Sequence, residues 1–238
     1  MLSPKHDHTS ALPQGHPCFG CPVRDLAICG TLDGDQLKEF RRLGCCMALS
    51  SGQSLFSQGD SAASVFTVTE GILKSYRILP DGRRQVTGFH MAGDFVGNVV
   101  GDVHEVTAEA VKDCRVCAFP VRRFENFVED HPPMERELYI AAARQLAQAH
   151  EQMVLLGRMT AIERIASFFL ALSDRSQGAD MVDLPMSRSD IADYLGLTKE
   201  TISRVLSELK GSRMIRLQAI DRIQILDRPR LKQIASGG

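Results

Sequence analysis

Three cysteines stand within twelve residues in CFGCPVRDLAIC: Cys18, Cys21 and Cys29. A C-x-x-C pair grips a metal centre from both sides of a tight turn, and Pro17, Gly20 and Pro22 shape such a turn. Iron–sulfur clusters want four thiolates, and a structural zinc can be held by four cysteines as well. The chain has seven cysteines, an odd number, the others being Cys45, Cys46, Cys114 and Cys117. No basic start followed by an apolar stretch opens the sequence, so a reducing cytosol is expected. There, clustered thiols bind metal or do redox chemistry more often than they build a disulfide framework.

A second set of residues has the chemistry to read DNA. In RSDIADYLGLTKETISRVLSELKGSRMIRL, Ala192 is the small residue where two helices meet and Gly196 supplies the turn. Ile191, Leu195, Leu197, Ile202 and Val205 are the apolar positions of that hairpin. Ser189 is expected to cap the first helix and Thr198 the second. On the second helix Ile202, Val205, Leu206 and Leu209 face inward, which leaves Glu200, Ser203 and Arg204 outward near its start. That end enters the major groove in a helix-turn-helix. Arg204 can give two hydrogen bonds to guanine, Glu200 can accept from cytosine N4, and Ser203 can reach a base edge. Thr201 and Lys199 are placed for phosphates, and Arg188 joins the DNA-binding set. The bland alternative is a solvated polar face on an ordinary helical hairpin.

Bulk properties narrow the choices. The 238 residues are 44% hydrophobic and 24% charged, enough for two cored domains, with a net charge of -1. Residues 161–238 carry twelve Lys and Arg against ten Asp and Glu, too weak a bias to indicate nucleic acid by itself. No apolar run approaches the roughly 20 residues of a membrane helix. No Ser-His-Asp set, phosphate-binding loop or catalytic carboxylate pair is visible, so no enzyme is expected. The seven histidines are scattered, and none stands out as a haem ligand.

The elements that must position these residues follow from pattern. Residues 1–17 have no period and read as a disordered lead. LDGDQLKEFRRLG is a short amphipathic helix with Leu37, Phe40 and Leu43 on one side. From Met47 to about Pro120, short β-rich runs alternate with Gly-marked corners, the mark of a small antiparallel sandwich or jelly roll. LPDGRR is a hairpin turn, and VRRFENFVEDHP starts helical and stops before Pro132. MERELYIAAARQLAQAHEQMVLLGRM then runs without proline, and Leu138, Ala142, Leu146, Ala149, Met153 and Leu156 recur at three- and four-residue steps. So narrow a stripe suits a helix pairing with its twin; the alternative is a helix packed on its own domain. A polar loop, SQGADMVDLP, precedes the DNA-reading segment, and RMIRLQAIDRIQILD gives two strands of a wing.

From residue 18 to about 230 the chain resembles the CRP/FNR superfamily of bacterial transcription factors. LGLTKETISRVLSELK is similar to the recognition helix of the FNR branch, and VTGFHMAGDFVG also looks like that branch. The resemblance implies an α+β chain: a sensor domain over 18–133 with a cyclic-nucleotide-type β-roll, a dimerisation helix over 134–160, and a winged helix-turn-helix over 161–238. It implies a cytoplasmic homodimer that binds TTGAT-like palindromic operators through Glu200, Ser203 and Arg204 and works with RNA polymerase. FNR-type oxygen sensors carry three cysteines before the roll and a fourth inside it, ahead of an x-x-Pro turn. Cys117 in CAFP matches that fourth position better than Cys114. The C-x2-C-x7-C spacing is that of a subgroup of the branch. The resemblance thus implies a [4Fe–4S] cluster on Cys18, Cys21, Cys29 and Cys117, and oxygen control of anaerobic genes. The rival from another class is a constitutive DNA-binding regulator with a structural four-cysteine zinc site. A redox switch on adjacent Cys45 and Cys46 is disfavoured, since neighbouring thiols rarely close an unstrained disulfide; with Cys114 they read as small buried residues. No cyclic nucleotide is expected, because GDFVGNVVGDVHEVTAEAV holds no Arg or Lys for a phosphate, His104 being its only basic candidate.

Overall fold

The computed structural model describes His16 and residues 18–237. The disordered lead expected over 1–17 therefore lies, His16 apart, outside the described residues. The chain divides into two units, one of residues up to 77 with 88–146, the other of residues 78–87 with 147–238.

The first unit opens with the cysteine loop, which closes in a 3-10 turn at Ile28–Thr31 and leads into helix α1 (Gly34–Arg42). Asp33 caps α1, its side chain accepting from the Asp35 and Gln36 amides, and the Asp33 amide donates in return to Gln36 Oε1. This fixes the rotation of α1 so that Leu37 and Phe40 are buried.

Eight strands follow: β1 (Cys45–Leu49), β2 (Ser54–Phe56), β3 (Ser64–Glu70), β4 (Ile72–Ile78), β5 (Arg84–Met91), β6 (Phe95–Val96), β7 (Thr107–Ala110) and β8 (Cys114–Pro120). They form two four-stranded sheets, in the orders β1-β8-β3-β6 and β2-β7-β4-β5. The expected antiparallel roll is there. Its last strand, β8, lies between β1 and β3 and pairs antiparallel with both.

Two apolar clusters fill the unit. One gathers Leu49, Phe56, Phe66, Val68, Leu73 and Val116 inside the roll. The other joins Leu32, Leu37, Phe40, Phe119, Phe124 and Phe127, with helix α2 (Val121–Glu129) laid over it. Helix α3 (Pro132–Arg158) starts on this second cluster with Met134 buried and Leu138 partly buried. Gln145 Nε2 donates to the Phe95 carbonyl at 3.0 Å and fastens α3 further along.

The second unit contains α4 (Ala161–Arg175), β9 (Met181–Asp183), α5 (Arg188–Leu195), α6 (Lys199–Gly211), β10 (Ile215–Ala219), β11 (Arg222–Ile225) and α7 (Arg228–Ala235). Ile165, Phe169, Leu184, Ile191, Leu195, Ile202 and Leu209 are its largest sealed side chains. Gly196 ends α5 at φ +62°, a left-handed conformation that glycine adopts freely.

Two expectations are corrected. The cap of α5 is Ser187, not Ser189: Ser187 Oγ accepts from the Asp190 amide, and Asp190 accepts from the Ser187 amide and hydroxyl. The segment read as a polar loop contributes β9, which pairs with β11, so the wing sheet has three strands in the order β10-β11-β9. The hairpin turn at LPDGRR forms as expected, with the Leu79 amide bonded to the Arg83 carbonyl. Its last residue, Arg84, gives 2.9 Å hydrogen bonds to Asp190 and Asp193 of α5. Among the described residues no helix is long and apolar enough to cross a membrane.

Candidate thiol centre and nucleic-acid interface

The cysteine loop is a run of tight turns, with the Cys21 amide bonded to the Cys18 carbonyl and the Arg24 amide to that of Cys21. Gly30 lets it fold back on itself, since a Cβ there would stand 2.5 Å from the Arg24 carbonyl oxygen. Cys18 and Cys29 then rest, partly buried, on the apolar cluster of Phe40 and Phe119. Cys117 reaches the same cluster from β8.

The thiols feel one another. Burial pushes Cys29 up to about 12, and Cys18 and Cys21 push the same way against Arg24. Burial also raises Cys18, helped by Cys21 and Cys46. Cys117 goes up to about 12 through burial, then through Cys46, with Cys18 contributing. Cys18, Cys29 and Cys117 thus border one apolar cluster, and the Cys21 amide is bonded to the Cys18 carbonyl. Among the described residues, however, no group of three or more His, Cys, Asp or Glu side chains is arranged to hold a single metal ion.

Two guanidinium groups flank these thiols. Arg24 is buried, gives its Nη2 to the Leu32 carbonyl at 3.0 Å, and keeps a buried Nη1 with no partner among the described residues. Arg41 bonds Gly44 O and Cys46 Sγ, and its buried Nε is likewise unmatched. An unsatisfied buried donor costs about 1–3 kcal/mol, more when charged. Orphan cationic donors beside four thiols fit an anionic group at the centre. A four-iron cluster held by four thiolates would be such a group, and the orphan donors of Arg24 and Arg41 fit its charge. Sequence reasoning missed both arginines, although Arg24 stands between Cys21 and Cys29.

The remaining cysteines separate. Cys114 is buried in the other cluster, with Leu73 and Val116, as its reading as a small core residue expects. Cys45 and Cys46 are exposed, which corrects the same reading for them. They lie on β1, the edge strand of its sheet, where side chains can stay in solvent. Cys46 is paired in register with Cys117, and the two sulfurs are 3.8 Å apart.

His104, the basic candidate of the cation-poor loop, is buried and stacks on Phe56 at 3.6 Å; burial lowers its pKa. The roll does bury one cation outside that loop. Lys74 is 2.9 Å from Glu109, which also accepts from the Tyr76 hydroxyl.

In the second unit Thr198 caps α6 through the Thr201 amide, as expected. Ile202, Val205, Leu206 and Leu209 are buried, and Lys199, Glu200, Ser203 and Arg204 are exposed. Its own backbone amide, then the Thr198 hydroxyl, holds the Glu200 carboxyl below the usual range, so it stays an acceptor. Ser203 Oγ donates to the Lys199 carbonyl, leaving its lone pairs outward. Thr201 is half-buried against Thr198. Arg188 ties α5 to the wing by donating to the Ile220 carbonyl, and its buried Nη1 has no partner among the described residues. On α3 the predicted stripe divides: Ala142, Leu146, Ala149 and Met153 are exposed, while Leu138 and Leu156 are half-buried.

A helix-turn-helix with a β wing, preceded by a β-roll and a long helix, defines a DNA-binding regulator. Residues 163–234 match the Crp-like helix-turn-helix domain and residues 47–131 the cyclic nucleotide-binding domain. The chain is 41% identical to the nitrogen fixation regulation protein FixK of Bradyrhizobium diazoefficiens, over 94% of this chain and 96% of that one. It is 36% identical to the transcriptional activator protein Anr of Pseudomonas aeruginosa, over 95% of each. The solved structure of FixK2 from Bradyrhizobium japonicum superposes with a TM-score of 0.76 at 36% identity, covering 80% of this chain and 96% of that one. The chain belongs to the CRP/FNR family of transcription regulators, and within it to the FNR/FixK type.

Proposed function

We propose that this chain is an oxygen-responsive transcriptional activator. It reads TTGAT-like palindromes as a homodimer and holds a [4Fe–4S] cluster on Cys18, Cys21, Cys29 and Cys117. One observation carries the reading: Cys18, Cys29 and Cys117 rest on the same apolar cluster as Met134 and Leu138 of α3. What happens at the thiols is therefore felt where the dimer helix begins. A cluster bound there supplies a redox-active centre that oxygen can convert.

The chain's own residues do the rest. The four thiolates hold the cysteine loop down on Phe40 and Phe119, and Arg24 and Arg41 offset their charge. While the loop is held, α3 keeps its seat and presents Ala142, Leu146, Ala149 and Met153 to a second copy. Pairing sets two α6 helices one DNA turn apart. Glu200, Ser203 and Arg204 then read base edges, while Lys199 and Thr201 meet phosphates and Arg188 adds its positive charge beside them. No cyclic nucleotide is used: the loop that would hold its phosphate lacks a cation, and Lys74 is engaged by Glu109.

Relatives named as transcriptional activators support activation; RNA polymerase is the partner this reading requires. The test is anaerobic purification, followed by iron and sulfide assay, visible absorption and operator binding before and after air. Brown protein that loses colour and operator together in air is expected. Colourless, zinc-bearing protein that binds equally well in air overturns the sensing.

A further inference from the structure

We propose that Cys46 and Cys117 are a reversible redox pair. When the thiol centre is empty, a hydroperoxide closes them into a cross-strand disulfide and removes Cys117 from the ligand set. The bond itself requires no cluster; only its effect on cluster assembly rests on the function proposed above.

The geometry selects this pair. Cys46 and Cys117 face each other in the β1–β8 register, with sulfurs 3.8 Å apart. Residues directly opposite on antiparallel strands have Cα atoms about 4.5–5.5 Å apart, within the span a disulfide tolerates. Arg41 holds the Cys46 sulfur through its Nη2 at 3.3 Å, and its Nη1 is anchored on Gly44 O at 2.7 Å. Cys46 is exposed to a small oxidant, while Cys117 stands half-buried beside it. Neither other roll cysteine has a thiol opposite: Cys45 faces Ala118 and Cys114 faces Leu49.

The chemistry balances. The Cys46 sulfur attacks one peroxide oxygen, the O–O bond breaks, and with hydrogen peroxide a water leaves and a sulfenic acid remains. The Cys117 sulfur then displaces the hydroxyl, forming S–S, breaking S–O and releasing a second water. Two thiols are oxidised and one peroxide is reduced. A dithiol reductant reverses the bond by exchange.

The test uses full-length protein, stripped of iron by a chelator, reduced, and exposed to one equivalent of hydrogen peroxide. Mass spectrometry of an unreduced digest should find Cys46 linked to Cys117, and dithiothreitol should undo the link. Cys46→Ser should abolish it. Oxidised wild type should then lose uptake of ferrous iron and sulfide, whereas peroxide-treated Cys46→Ser should keep it. Linkage of Cys117 to Cys18 or Cys21 instead, or no linkage, overturns the pair. Reduced wild type that takes up no iron yet forms the Cys46–Cys117 link upholds the pair and overturns the cluster. Iron uptake without the link does the reverse.

Discussion

Cys114 and Cys117 lie three residues apart on β8 and serve different cores: Cys114 is sealed in the cluster of Leu73 and Val116, Cys117 borders that of Phe40 and Phe124. Alternation along a strand turns them to opposite faces, and the cysteine loop covers only one of these.

Serine substitutions should therefore split. Cys117→Ser should give folded protein without iron or visible absorption after anaerobic purification. Cys114→Ser should keep both, and lose about 1–3 kcal/mol of stability for burying a hydroxyl among apolar side chains. Iron assay and urea denaturation of the two variants check this, and an iron-free Cys114→Ser beside an iron-loaded Cys117→Ser reverses the ligand assignment.

Arg204 is exposed on the outward face of α6. Arg204→Ala should cost about 1–3 kcal/mol per half-site on a TTGAT-type operator and relax selection at one guanine. Titrations on operator and random duplexes at one salt concentration measure it. Equal losses on both would reduce Arg204 to a phosphate contact.

Met153 is 60% exposed and Leu155, two residues on, is 8% exposed. Met153→Glu should leave the fold within about 0.5 kcal/mol of wild type while setting like charges across the two-fold seam. Sedimentation should show monomers that no longer hold the operator; an unchanged dimer places the interface elsewhere. Leu155→Glu, by contrast, should fail to fold.

Arg84 bridges Asp190 and Asp193, and the buried Asp190 also belongs to the capping box of α5. Arg84→Ala should lower the stability of the DNA-binding unit by about 2 kcal/mol, because a charged acceptor loses its donor inside protein. Thermal unfolding followed by circular dichroism reads the effect, and Arg84→Lys should recover only part of it.

The helix-turn-helix is legible in the sequence because its constraints are local: Ala192, Gly196 and Ile202 stand at offsets that few other folds require. The cap of α5 is local too, yet it was settled by Asp190 lying three residues after Ser187, a pairing that Ser189 lacks. What the sequence hides depends on strand neighbours. Cys45 and Cys46 read as core, yet β1 takes an edge position that leaves them in solvent. Met181–Asp183 reads as loop until β11 supplies its partner. Arg24 reads as an ordinary loop cation, and its orphan donor emerges only when the loop closes over it.

The position of β8 also sets an order of events during synthesis. Cys18, Cys21 and Cys29 leave the ribosome first, whereas Cys117 arrives on the last strand of the roll, the one that β1 and β3 both need as a neighbour. A nascent chain with every earlier strand in hand would have three of the four proposed ligands and an unfinished sheet. Cys117 and the closing of the sheet come in the same few residues, so the proposed four-thiol centre could not be complete before the domain that houses it.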